Sequence, residues 1–452
     1  MKFKAVLLLA LCVLASISGA SFFNDEEIAG SGLDFFLGPK IITDPDDPSN
    51  KEYAFFGSLS PEFKLGLFSI GLDLRFQYNI SEGRFYSEDW NTVAGVLRKV
   101  RFMKVGRKFS KYYFRYGEIK GGFITPGVLI SNYNNMTLMD LEKRGLELDL
   151  DFGYAGFESM VNDISSPTML AFRIFVRPLK SLKVPLLSTA QVGFSMAGDL
   201  RAPANVQYGE VWNEDAGETV TAVLKDDEGE FLCDYKVLHG WSLDVFAPIT
   251  KFNILTTGVY AGYSKIPNEG TRINAGAYAH TVFDIKVNLE YRSMNGAGDW
   301  NVFDENYEVD KWNYRGSYLS KYDYLLSGIF EDSCSGIFGG ISGNIFGKIL
   351  LSGSYEDMEG PANGVLRLNL DLTRVVDKIK AYLTYSKTMI DHPDDLFTFD
   401  ERSIFIGNIS YALTKFFNIS LDYKRIYRYN DEFGIYEPVE TLTPAFLFSI
   451  DF

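Results

Sequence analysis

The stretch from Leu146 to Phe152 constrains this chain more than its length suggests: Leu146, Leu148, Leu150 and Phe152 alternate with Glu147, Asp149 and Asp151. Successive side chains of an extended strand point to opposite faces, so this run makes one hydrocarbon face and one ionic face. The same pattern recurs. Leu72, Leu74, Phe76 and Tyr78 alternate with Asp73, Arg75 and Gln77, and Leu366, Leu368, Leu370 and Leu372 alternate with Arg367, Asn369 and Asp371. Val287 to Tyr291 and Ile419 to Tyr423 behave likewise. Scanning for period two gives about twenty candidate strands. Turn residues are spread along the chain, no linker breaks it, and no internal repeat appears. The one helix-like stretch, Trp90 to Leu97, falls in a connection.

An ionic face opposite a hydrocarbon face is a soluble design only if the hydrocarbon packs on a partner sheet; in a membrane it faces lipid. The connections decide between these. Short joins alternate with longer ones: Asp44 to Glu52, Ile80 to Lys99, Lys120 to Lys143, Ala197 to His239, Asn295 to Cys334, Asp391 to Glu401 and Tyr429 to Pro438. A transmembrane barrel predicts this order, with tight turns on the periplasmic side and long loops outside. No segment has the ~18 consecutive apolar residues of a spanning helix. The expected fold is therefore all-β: a single-chain antiparallel transmembrane barrel, with an even strand number of about 18 to 20 within a range of 16 to 20. A soluble β-sandwich is the competing fold.

The end of the chain agrees. Phe446, Phe448, Ile450 and Phe452 share one face of a last strand, alternating with Leu447, Ser449 and Asp451. An apolar, aromatic-ended strand needs pairing on both edges, which closure supplies. This pattern resembles the C-terminal strand of Gram-negative outer-membrane β-barrel proteins, in which a final Phe after alternating apolar residues is the assembly signal. The resemblance implies an outer-membrane location, lipid contact, and the outer-membrane assembly machinery as a partner. The abundance of Tyr and Phe and the acidic loops are also similar to spirochaete-type outer-membrane proteins. At the N-terminus, Met1 to Lys4 is basic, Ala5 to Leu14 is apolar, and Ser18-Gly19-Ala20 suits cleavage, so residues 1–20 read as a secretory signal and 21–452 as the barrel. The two cysteines of the mature chain, Cys233 and Cys334, are too few for a disulfide scaffold.

Charge is unevenly placed. The segments 205–238, 297–334, 391–401 and 43–52 carry 26 acidic residues against 6 basic ones, an excess larger than the chain's net charge of −15. The acid belongs to the loops, and it disfavours nucleic acid as a partner. Inward strand positions carry both signs. The expected lumen lining is Asp73, Arg75, Gln77, Arg115, Glu147, Asp149, Asp151, Arg173, Arg177, Lys286, Asn288, Glu290, Arg292, Arg367, Asn369, Asp371, Lys380, Asp422 and Lys424. Charges on the lipid face would cost ~2 to 4 kcal/mol each, so this face reads as a wet interior. The same residues could instead pair across strands and simply fill the barrel.

Enzymatic chemistry has little support. His239, His280 and His392 are not spaced with one another or with Cys for zinc, and no nucleophile elbow, phosphate loop or dinucleotide fingerprint occurs. No cofactor, catalytic residue or metal site is expected; the runs Asp44, Asp46, Asp47 and Asp391, Asp394, Asp395 read as solvated acidic loops. Tyr423, Tyr427, Tyr429, Phe416, Phe417 and Trp241 read as an aromatic girdle. The expected function is a passive, porin-like channel for small hydrophilic solutes, mildly cation-preferring through an acidic external vestibule, with loops 197–239 or 295–334 as constriction. A closed, surface-exposed adhesin or interaction barrel is the alternative, and uptake of hydrophobic compounds a third reading.

Overall fold

The computed structural model describes residues 32–43, 51–80, 84–86, 93–108, 110–137, 143–182, 184, 187–213, 218–226, 228–251, 255–267, 270–281, 285–296, 300–327, 333–345, 348–360, 364–372, 375–376, 378–400, 402–414, 416–430 and 435–451. Among these residues, twenty strands form one closed antiparallel barrel. The first ten are β1 (Gly32–Thr43), β2 (Lys51–Leu65), β3 (Phe68–Leu72 with Leu74–Asn79), β4 (Arg84–Tyr86 with Val100–Gly106), β5 (Tyr112–Gly117), β6 (Gly145–Asp151), β7 (Ala155–Val161), β8 (Met169–Val176), β9 (Gln191–Ala204) and β10 (Asp234–Lys251). The rest are β11 (Leu255–Ile266), β12 (Gly270–Thr281), β13 (Lys286–Asn295), β14 (Ser333–Ile345), β15 (Ile349–Met358), β16 (Gly364–Asp371), β17 (Ile379–Ile390), β18 (Ser403–Ala412), β19 (Phe417–Asn430) and β20 (Ile435–Asp451). Strand β3 is interrupted at Asp73, and β4 carries an insertion that includes the helix Val93–Arg98.

Each strand pairs with its neighbours in sequence, and β20 closes the ring on β1, with Leu33 opposite Ile450 and Phe35 opposite Phe448. Closure leaves no unpaired edge, which is what a sheet in lipid requires. The period-two sequence pattern then separates two surfaces. On β8, Leu170, Ile174 and Val176 are exposed on the outer wall, while Met169, Ala171, Arg173 and Phe175 are buried on the inner one. On β6, Glu147 and Asp149 are buried inward. At the end of the chain Phe446 is 65% exposed on the outer wall and Ala445 is buried. The Phe448 ring contacts those of Phe416 and Phe417. Ile450 takes its place in the ladder; Phe452 and the signal segment 1–20 lie outside the described residues.

Three expectations about connections need correction. The segment from Tyr429 to Pro438 is mostly ladder rather than loop, because β19 and β20 stay paired out to Asn430 and Ile435. The loop expected from Ala197 begins only after β9 ends at Ala204. And one long connection, 177–190 with its two 3-10 turns, joins β8 to β9 at the end of the barrel where β20 finishes, the end otherwise closed by tight turns. That end is called the turn end below and the opposite one the loop end. Tyr427 is buried beside Ile404 and Ile426 instead of standing in an exposed girdle.

The outer wall predicts a stability asymmetry. Ile174→Arg, in the middle of β8, should cost ~2 to 4 kcal/mol in lipid vesicles, and the same change at exposed Ile164 in the loop-end connection should cost under ~1 kcal/mol. Urea unfolding in vesicles measures both.

Candidate functional site: the barrel interior

Between β7 and β13 the interior side chains form rows that follow strand register. At the loop end Met169, Asp199 and Leu238 lie opposite one another, and one step further in Met160, Ala171, Ala197 and Gly240 do so across β7 to β10. The next row toward the turn end is polar: Glu158, Arg173, Ser195, Ser242, Ser264 and Arg272. Beyond it come inward rings, Phe175 on β8, Phe246 on β10, Tyr260 on β11 and Tyr278 on β12. Three of these rings sit over neighbouring-strand glycines: a Cβ on Gly156 would lie 2.2 Å from Phe175 Cζ, one on Gly276 would lie 2.5 Å from Tyr260 Cζ, and one on Gly258 would lie 2.4 Å from the Tyr278 hydroxyl oxygen. The missing side chains let the rings lie against the wall.

The small, apolar row of Met160, Ala171, Ala197 and Gly240 is where two loops dock. The connections 118–144 and 296–332 fold into the barrel and pack there, burying Ile119, Leu129, Ile130, Tyr133, Phe303 and Tyr307 against Met160, Met169, Ala171 and Ala197. Ile130 and Phe303 form a parallel bridge between the two loops. Polar contacts lock them. The Tyr133 hydroxyl donates to Glu308 Oε1 at 2.5 Å, and the ammonium groups of Lys143 and Lys311 stand 2.6 and 2.8 Å from Glu308 Oε2. Tyr307 donates to Asp199 Oδ2 at 2.8 Å on β9. On the far side Glu305 Oε1 accepts from Arg367 Nε at 2.5 Å and from Ser386 Oγ at 2.9 Å, so this loop spans from β9 to β16 and β17. Burial by itself would push the Glu308 carboxyl up; Lys311 and Lys143 beside it override that and hold it well below the usual carboxylate range.

The inward ions on this half are internally compensated. Arg173 donates to Glu158 Oε1 at 2.7 Å and, with two nitrogens, to the Asp244 carboxylate at 3.0 and 2.6 Å. Lys108 Nζ lies 2.9 Å from Glu147 and 3.4 Å from Asp149. Arg177, just past β8, forks onto Asp151 with both bonds at 2.7 Å. Arg292 bridges Glu290 and Glu356. A cavity of about 250 Å³ remains below the tip of loop 118–144, lined by Phe123, Asp149, Arg173, Phe246 and Tyr278, and a smaller one on the other side of Phe123 and Pro126 reaches Asn288, Arg367 and Asn369.

The other half of the wall, β16 to β4, differs. Arg367, Asn369, Asp371, Asp422 and Arg75 are only partly buried, and Lys380 and Lys424 are exposed although their register neighbours Ser410 and Thr441 are buried inward. Lys424 interacts electrostatically with Arg75, Lys120 and Glu118, which belong to β3 and to loop 118–144. Asp73 accepts from Ser58 Oγ at 2.7 Å and pairs with Arg75, Arg115 and Lys286 hold buried and half-buried places, and Asn408 donates to Asp422 at 2.8 Å. The Gln77 side chain lies outside the described residues.

Of the two loops expected to narrow the interior, 296–332 does so. Loop 205–233 instead lies against it, through Tyr208 to the Trp312 carbonyl and through the Phe231 and Trp312 rings, and its partner inside is 118–144. Sequence reading also passed over Glu158 and Asp244. Asp244 had a signal, standing with Ser242 between Leu243 and Val245. Loop 391–402 goes elsewhere again: Phe397 and Phe399 pack on Tyr385 of β17, and Asp400 holds Lys387 and Arg402.

A closed barrel of even strand number, apolar outside and ionic inside, is the architecture of outer-membrane-type transmembrane β-barrels. No family model matches the chain, and no curated protein matches it in sequence. Solved structures that match include the ferric enterobactin receptor PfeA of Pseudomonas aeruginosa, at 11% identity over 93% of this chain and 82% of that one, with a TM-score of 0.34. They also include OpdL, at 9% identity over 93% and 98% with a TM-score of 0.33, and OpdK, at 9% over 93% and 99% with a TM-score of 0.30, both of the same organism.

The Glu308 latch carries a prediction. Removing one partner of a buried ion pair costs ~3 to 5 kcal/mol, so Glu308→Gln should free loop 296–332 for proteolysis at pH 7. A depressed folded pKa contributes stability above the ordinary carboxylate value of 4.5 and loses it only as pH falls through the folded value, so wild-type protection should be equal at pH 7 and pH 5. Limited proteolysis of the folded barrel at the two pH values reads both.

Proposed function

We propose that this chain is an outer-membrane barrel serving as a passive, porin-like diffusion channel for small hydrophilic solutes, delivered by a cleaved signal at residues 1–20. The supporting observation is the asymmetry of the interior: loops 118–144 and 296–332 bury the polar wall from β5 to β13, while on the β16 to β4 half the inward Lys380 and Lys424 stay exposed to water. A barrel filled by its own side chains would bury both halves alike. The passage runs along the open half, with the expected lumen residues Arg75, Asp371, Asp422 and Lys424 beside it. Phe446, Phe448, Ile450 and Phe452 serve as the assembly signal. With β20 ending at the periplasm, the long loops face outside, and their excess of acid forms a vestibule that concentrates cations.

Purified protein in planar bilayers should give stepwise conductance with a mild cation preference under a salt gradient. Deleting residues 300–326 should raise the step about twofold, because conductance follows the open cross-section. Silence from both proteins, with the barrel folded by heat-modifiable migration, would overturn the channel reading in favour of a closed surface barrel.

A further inference from the structure

The two ends of the barrel carry opposite charge. Counted between the strand bounds, the turn-end connections hold 10 basic residues and 2 acidic ones, against the acid-rich loops at the other end. Lys108 and Arg177 of these are taken up by Glu147, Asp149 and Asp151, while Arg107, Lys111, Lys180, Lys348 and Lys378 stand at the same end as exposed apolar side chains: Leu65 and Leu67 at the β2–β3 turn, Phe152 between β6 and β7, Leu182 between β8 and β9, and Leu413 between β18 and β19. Two of the lysines are placed by aromatic rings. Lys111 Nζ lies 5.1 Å from the ring centroid of Tyr112, which is exposed on the outer wall at the start of β5, and Lys180 Nζ lies 5.0 Å from that of Tyr154, exposed in the β6–β7 turn. Lys348 and Lys378, in the turns before β15 and β17, are exposed.

We infer that this rim is a binding surface for anionic phospholipid headgroups of the leaflet at the turn end. The charge sign selects the partner, and the interleaved leucines and rings select a lipid surface over a soluble polyanion. Apolar side chains at this level enter the acyl boundary while the ammonium groups reach phosphate. The Lys111 and Tyr112 pair puts a cation on the outer wall, away from the solute passage. Lysines clustered at an anionic leaflet each add attraction that decays within a Debye length, so the ring of cations acts together and is screened by salt. The opposite, acidic end cannot contribute. The same polarity sets the protein's depth and orientation in a bilayer whose leaflets differ in charge.

The test uses the full barrel in nanodiscs of phosphatidylcholine carrying a trace of spin-labelled phosphatidylglycerol or spin-labelled phosphatidylcholine, read by electron paramagnetic resonance. The wild type should hold phosphatidylglycerol about threefold more than phosphatidylcholine, with the ratio falling toward one in 0.5 M salt. A combined Lys111→Gln, Lys180→Gln, Lys348→Gln, Lys378→Gln variant should lower the ratio, with heat-modifiable migration unchanged; a single Lys111→Gln serves if the quadruple variant fails to fold. Equal association of the two lipids, or a ratio the variant leaves unchanged, overturns the inference. So does a variant that shifts only the reversal potential, since the cations would then serve the passage. The lipid ratio does not depend on conductance, so failure of the channel reading and failure of this one are told apart.

Discussion

The pairing of β1 with β20 is the interaction on which the rest depends. A sheet in hydrocarbon must satisfy every backbone N–H and C=O internally, and only a closed ring does so. Closure also makes strand parity global: once Phe446 and Ile174 face lipid, each residue beside them in sequence faces inward. The inner and outer walls are thus two readings of one alternation, and a slip of one residue anywhere would exchange them.

Closure creates an interior wide enough to need filling, and the fill is uneven. On the β7 to β10 side the row Met160, Ala171, Ala197 and Gly240 is apolar and short, so the loops 118–144 and 296–332 approach closely and bury their own Leu129, Ile130 and Phe303. Below that row the buried ions are paired, as Arg173 is with Glu158 and Asp244. Pairing lets charge exist in a poorly hydrated space, and truncation of one partner is costly because the other is left buried. On the β16 to β4 side the loops reach the wall at fewer points, through Glu305 to Arg367 and Ser386, through Val309 to Ile404 and Ile406, and through Glu118 to Arg75, and the inward Lys380 and Lys424 remain wet.

The axial charge polarity is a second consequence of antiparallel winding. Alternate connections emerge at alternate ends, so a chain whose acidic excess falls in joins of one parity and whose basic excess falls in joins of the other becomes an electrostatic dipole when it closes. Asp226 and Asp391 are far apart in sequence and share one end; Lys111, Lys180 and Lys378 share the other. The ordering of long and short joins was readable in part: connection 177–190 is long at the turn end, while at the loop end Ile266 pairs with Gly270 across a tight turn and β19 and β20 stay paired out to Asn430 and Ile435.

The sequence by itself determined the strand alternation, the apolar outer wall, the class of fold and most inward positions, because each depends on the period of two within one strand. Glu147, Asp149, Arg173 and Glu290 could be placed inward from their neighbours alone. Only the tertiary structure decided which loops enter the barrel, and that Glu308 joins Tyr133, Lys143 and Lys311. Loop 118–144 carries no local mark that it folds inward. Its docking depends on small and apolar side chains from four strands, Met160, Ala171, Ala197 and Gly240, which share a row only after closure sets the register between them. Contacts of that kind are a property of the ring, and no window of sequence contains them.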